Sequence, residues 1–142
     1  MILPDLNLLL YAYNPHAAQH AKASTWWNEA LAGDELVGLP YEICFGFVRI
    51  ATNPKLGAAK VNLAEARAVV ESWLTLPHVR ILSPGANHFA AAIDLTAKAM
   101  GAGTLVSDAV LAAYAIEHRA TLYSSDTDFA RFADLDWKNP LL

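Results

Sequence analysis

The stretch Thr121-Leu122-Tyr123-Ser124-Ser125-Asp126-Thr127-Asp128 decides how this chain is read. A short β-type run gives way to two serines, and then to two acids one residue apart. A strand that ends this way offers its acids at the carboxyl end. The chain opens with the same layout: Ile2-Leu3 is a short apolar strand, and Asp5 follows it almost at once. In an open parallel sheet, side chains just past the strand ends converge on one crevice, the usual ligand site.

The sequence between these strands alternates. Leu6 to Tyr13 reads as a helix stopped by Asn14-Pro15. His16 to Leu31 places Ala17, Ala21, Ser24, Trp27 and Leu31 on one helical stripe and ends at Gly33-Asp34. Leu36 to Leu39 is a second strand. Pro40 suits the first turn of a helix from Tyr41 to Thr52, which stops at Asn53-Pro54. Leu63 to Leu74 is a helix with Asn62 as N-cap and Glu65 three residues on, an imperfect capping box. Val79 to Leu82 is a third strand. Asn87 to Met100 is a helix ended by Gly101, and another runs from Gly103-Thr104 through His118. Trp137 falls on a short last strand. Strands alternating with helices predict an α/β fold, with three α/β/α layers around a mainly parallel central sheet.

With 142 residues, 55% hydrophobic and 17% charged, a single domain over residues 1–142 is expected, with enough chain to bury a core. The lone Cys44 excludes an internal disulfide and a cysteine-based zinc site. No apolar run approaches the ~18 residues of a membrane span. Met1-Ile2-Leu3-Pro4-Asp5 carries no basic n-region, so no signal peptide is expected. A cytoplasmic protein without membrane contact is the reading that remains.

Asp5, Asp126 and Asp128 follow strands. Glu42 lies in the first turn after the second strand, and Asp108 about one turn into the helix that starts near Thr104. All five can face the same end of the sheet. Two carboxylates 4 Å apart repel by roughly 4 kcal/mol at an effective dielectric near 20, so such a set calls for a cation. Hard oxygen donors favour Mg²⁺ or Mn²⁺. The plainer reading is that Asp after a strand is a favoured N-cap, and that Asp126 and Asp128 cap a short helix. The net charge is −4; without these five acids, 14 − 5 = 9 acids face 10 basic residues, a balance of +1. A polyanionic substrate is therefore compatible with the acidic total. Arg49, Lys55, Lys60, Arg80, Arg119 and Arg131 are candidates for phosphate contacts, against the plainer reading of solvated surface charges.

Several segments, in this order, resemble the PIN-domain nucleases, and within them the VapC toxins of bacterial toxin–antitoxin pairs. They are Leu3-Pro4-Asp5-Leu6-Asn7-Leu8-Leu9-Leu10-Tyr11-Ala12, and His20 with Ala23 and Trp26-Trp27. Next come Gly46-Phe47-Val48-Arg49-Ile50-Ala51-Thr52-Asn53-Pro54 and Ser107-Asp108-Ala109 with Leu111-Ala112-Ala113. The last are Asp126-Thr127-Asp128-Phe129 and Trp137-Lys138-Asn139-Pro140-Leu141. The resemblance implies a metal-dependent endoribonuclease. It would hydrolyse RNA by a metal-activated water, leaving 5′-phosphate and 3′-hydroxyl ends. It implies Asp5, Asp108, Asp126 and Asp128 as metal ligands, with Glu42 as a further catalytic acid, a second-site ligand or the group that orients the water. A small antitoxin protein and a homodimer are the implied partners, with an aromatic face at Trp26 or Phe45 as a seat for the antitoxin's helix. Arg119 departs from the pattern, because many members have Gly there.

Asn7 and Ser124 are candidates to hydrogen-bond the carboxylates, with helix capping as the alternative for Asn7. Trp26, Trp27 and Trp73 suit a core or an interface. His20 suits packing, and His16, His78, His88 and His118 sit at element ends, where solvated or capping roles are the default. Beside a non-catalytic RNA- or protein-binding module with a decayed site, against which the intact acidic set argues, two rival functions remain. One is a PIN-fold RNA-processing nuclease outside toxin–antitoxin systems. The other is a receiver-like Mg²⁺-binding signalling domain, although Asp5 is followed by Leu6 rather than by a second acid.

Overall fold

The computed structural model describes residues 1–142. Five strands form one sheet: β1 (Ile2–Pro4), β2 (Val37–Pro40), β3 (Val79–Leu82), β4 (Thr121–Tyr123) and β5 (Trp137–Lys138). Their order is β3-β2-β1-β4-β5, and every pairing is parallel. The sheet expected to be mainly parallel is thus wholly so. Six α-helices connect the strands: α1 (Leu6–Tyr13), α2 (His20–Ala32), α3 (Tyr41–Ala51), α4 (Leu63–Leu74), α5 (His88–Lys98) and α6 (Leu105–Glu117). Two 3-10 segments lie at Pro54–Ala59 and Thr127–Arg131. Helix α1 packs on α2 and α3, α3 packs on α4, and α5 packs on α6. Passage from β1 through β2 to β3 moves one way along the sheet, and passage from β3 to β4 reverses it. Right-handed crossovers then put α1–α4 on one face and α5–α6 on the other, giving the three layers. The reversal falls between β1 and β4, where Ile2, Leu3 and Pro4 pair with Thr121, Leu122 and Tyr123. That is the switch point at which the carboxyl ends open a crevice.

The core explains the local choices. Leu3, Val37, Leu39 and Leu122 have no solvent exposure, as expected for strands covered on both faces. Trp27, Phe47 and Trp73 fill the α1–α4 side. Trp73 meets Trp27 at 5.5 Å and 88°, and Phe47 at 5.0 Å and 68°. Its indole N–H donates to the Tyr13 hydroxyl at 2.8 Å. Trp27 and Trp73 are therefore core residues, whereas Trp26 is half-buried against Tyr123 at 5.2 Å. No helix is long and apolar enough to cross a membrane.

Two helix ends differ from the sequence reading by more than a shift of one residue, and one cap differs in completeness. Helix α2 begins at His20, not His16, because residues 16–19 are held in turns by Asn14: its Oδ1 accepts the His16 N–H at 2.9 Å and its carbonyl the Ala17 N–H at 3.1 Å. The buried stripe is Ala23, Trp27 and Ala30. Helix α5 ends through Met100, which takes the left-handed conformation at φ 52°. A Cβ at Gly101 would sit 2.1 Å from Leu105 Cδ2, so the Leu105 side chain would have to shift to admit one. The capping box of α4 is complete. Asn62 Oδ1 accepts the Glu65 N–H at 2.8 Å, and Glu65 Oε1 accepts the Asn62 N–H at 3.4 Å.

Arg119 now has a physical account. It follows the C-cap of α6 at φ 53°. Its N–H bonds the Ile116 carbonyl and the Ala120 N–H bonds the Ala115 carbonyl, closing a Schellman motif. Glycine takes that conformation without penalty, and arginine holds it at a local cost.

Candidate active site

Asp5 occupies the N-cap position of α1, where the Leu6 and Asn7 N–H groups lie near its side chain without forming a cap bond. It turns instead across the switch point, where the Ser124 hydroxyl donates to Asp5 Oδ2 at 2.7 Å. Ser124 is fully buried, and its oxygen also accepts the Asp126 N–H at 3.0 Å. One serine at the end of β4 thus fixes the acid after β1 and the chain that carries the next acid. Asn7 does not share this role; its side chain is exposed on the wall of a different, largely apolar groove.

Asp126 caps the 3-10 segment, with Oδ1 accepting the Asp128 N–H at 2.9 Å. Asp126 thus caps the segment, Asp128 does not, and Asp126 keeps a second oxygen free. Carboxylate oxygens of Asp108, Asp126 and Asp128 lie within 4.8 Å of one another. Asp108 also lines a cleft of about 350 Å³ with Asp5, Glu42, Arg49 and Ser107. It is therefore common to both groupings, the one toward β4 and the one toward α3. Glu42 stays on the α3 wall, outside the close group of three.

The electrostatics follow from this crowding. Burial, then Asp126, Asp5 and Asp128, push the Asp108 carboxyl up to about 6. Burial also raises Asp5, opposed by the Ser124 hydroxyl and the N–H groups of Leu6 and Asn7, with Asp126 adding to the rise. None of the three ion pairs in the protein involves these acids. Three hard, uncompensated oxygen donors at this spacing fit a divalent cation of the Mg²⁺ or Mn²⁺ type and offer nothing suited to a soft metal.

The candidate cations separate clearly. Arg131 donates to the Ala99 carbonyl and closes α5, and Arg80 donates to the Pro77 carbonyl. Of the six basic candidates, Arg49 is the one on the cleft wall. The histidines stay outside the site. His20, His78 and His118 bond the carbonyls of Tyr11, Ala30 and Ser83. His16 is exposed, while His88 pairs with Glu117 at 2.8 Å, a partner 29 residues away that its position did not announce. Tyr114, which no local pattern marked, donates to Glu42 Oε1 at 3.2 Å.

Carboxylates gathered at the switch point of a small, wholly parallel sheet define a class. The chain belongs to the PIN-domain family, whose model, described as "PIN domain", matches residues 2–135. Its curated relatives are VapC proteins. It is 48% identical over 141 residues to "Ribonuclease VapC33" of Mycobacterium tuberculosis, covering 99% of each chain. It is 35% identical to "Ribonuclease VapC43" of the same species, covering 99% of this chain and 96% of that one. Among solved structures it is similar to VapBC2 from Rickettsia felis, described as bound to a DNA fragment from their promoter. That likeness has a TM-score of 0.68 at 18% identity and covers 98% of each chain. It is also similar to Mycobacterium tuberculosis VapC20, described as a "Sarcin-Ricin loop cleaving toxin". Here the TM-score is 0.68 at 15% identity, covering 96% and 99% of the two chains. At such identities the structural likeness shows the fold. The receiver-like alternative falls with the family assignment.

Proposed function

We propose that this protein is a metal-dependent endoribonuclease and the toxin of a toxin–antitoxin pair, acting in the cytoplasm as a single PIN domain over residues 1–142. The observation that carries the reading is the close group of Asp108, Asp126 and Asp128, which no cation of the protein neutralises. The names of the VapC relatives support RNA as substrate.

Asp108, Asp126 and Asp128 would hold Mg²⁺ or Mn²⁺, with Asp5 completing the set. When bound, the ion supplies charge neutralisation on the phosphodiester and makes a water more acidic. The protein's own groups do the rest. Ser124 keeps Asp5 aimed across the switch point. Glu42, on the opposite wall, orients the attacking water. Arg49, seven residues further along the same face of α3, contacts a phosphate of the RNA strand. Such an arrangement hydrolyses the phosphodiester directly, without a covalent intermediate.

A small antitoxin that covers the crevice is the proposed regulator. Phe45, 71% exposed and stacked near Tyr41 at 5.9 Å, shares the α3 face with Glu42 and Arg49 and offers an aromatic anchor. The active form is proposed to be a homodimer, which light scattering of the purified protein would check. The deciding experiment incubates the pure protein with structured RNAs and Mg²⁺ or Mn²⁺. Cleavage is expected with the metal and none with EDTA; cleavage that persists in EDTA overturns the reading.

A further inference from the structure

Glu42 sits exposed at the start of α3, where a glutamate ordinarily samples several rotamers. Here one of its oxygens is held. The Tyr114 hydroxyl donates to Glu42 Oε1 at 3.2 Å, joining residues 72 apart in the chain. Tyr114 itself has little freedom. It is 4% exposed, and its ring lies on the His88 imidazole with centroids 4.4 Å apart. His88 Nδ1 lies 2.8 Å from Glu117 Oε1, and Glu117 Oε2 accepts the Gly85 N–H at 3.1 Å. The phenol is thus held between His88, the first residue of α5, and Glu42 on α3. Burial, and after it the Glu42 bond, push the Tyr114 hydroxyl up to about 12, so it keeps its proton and serves Glu42 as a donor.

We propose that Tyr114 is a positioning residue for the ribonuclease reaction. By holding Oε1, it fixes Glu42 on the wall that faces Asp5 and Asp108 and leaves Oε2 free to orient water. This rests on the role given to Glu42 above. The opposite dependence, in which Glu42 merely satisfies a buried phenol, predicts a change in stability and none in turnover.

The test is a double-mutant cycle of Tyr114→Phe and Glu42→Ala, read as kcat and KM for RNA cleavage with Mn²⁺, beside NMR of the metal-free protein. Tyr114→Phe removes one oxygen and leaves the packing ring in place. It is expected to lower kcat about tenfold at unchanged KM, the worth of one hydrogen bond to a charged group. In the Glu42→Ala background the same change should cost nothing more. The Glu42 methylene signals should report one rotamer in the parent and averaging in Tyr114→Phe. A Tyr114→Phe protein with parental kcat, an equal loss in both backgrounds, or averaged Glu42 signals in the parent overturns the inference alone. A fully active Glu42→Ala protein overturns the role of Glu42 and the inference with it.

Discussion

The two ends of the sheet treat their acids differently. At the amino end, Glu35 before β2 pairs with the Met1 α-amino group at 3.3 Å, and Asp136 before β5 accepts from the Thr121 hydroxyl at 2.5 Å. Each of these two carboxylates has a partner. At the carboxyl end, Asp108, Asp126 and Asp128 crowd together, and the one hydrogen bond their carboxylates receive is from the Asp128 N–H to Asp126. The acids stand apart at one end and gather within 4.8 Å of one another at the other. Charge that a fold crowds into a crevice makes that crevice the candidate functional site.

Four measurements test this contrast. The largest effect is expected from Asp108→Ala, which should cut metal-dependent RNA cleavage by more than about a hundredfold, since even outer partners of a metal site cost ten- to a hundredfold. Glu35→Ala and Asp136→Ala, at the other end, should leave the cleavage rate unchanged. If all three variants behave alike, the two ends do not differ in function. Ser124→Ala comes next. It removes the link between Asp5 and the end of β4 and should weaken Mn²⁺ binding about tenfold by calorimetry; parental affinity would show that Asp5 needs no such tether.

Arg49→Ala should raise KM about threefold to fivefold and reduce the slope of log affinity against log salt by about 0.7, the signature of one lost phosphate contact. An unchanged slope removes Arg49 from the substrate path. The smallest effect concerns pH. The folded chain favours the protonated form of Asp108, raised from 3.8 to about 6. The unfolded chain therefore releases that proton first, and metal-free stability falls as pH rises from 3.8 toward about 6. After solvent screening at this half-exposed group the loss is no more than about 1 kcal/mol. In EDTA the thermal midpoint should drop across that window, and Asp108→Asn should flatten the drop. A midpoint that rises with pH in the parent because of Asp108 would reverse the sign of the argument.

Much of this was legible because the deciding signals are local. Val79–Leu82 and Thr121–Tyr123 emerge with the bounds read from sequence, since apolar runs between turn residues leave no other register. Asp5 and Asp126 were marked by their places after strands. The misplacements share one cause. The starting point of α2 depends on Asn14 capturing the residues after it, and the end of α5 on Met100 taking the left-handed conformation while the Gly101 N–H bonds the Thr96 carbonyl. Neither competitor has a periodicity. Tyr114 was hidden for the same reason: on an alanine-rich helix it has the pattern of an ordinary core residue, and Glu42 lies 72 positions away.

The sequence by itself determined the alternation of strands and helices, the α/β class, and the positions of acids just past strand ends. These follow from hydrophobic period and turn chemistry, which act over a few residues. Tertiary structure alone decided that β4 lies beside β1, that Ser124 reaches Asp5 across 119 residues, and that Asp108 joins Asp126 and Asp128. Such meetings depend on which buried faces pack together, a property of the whole core.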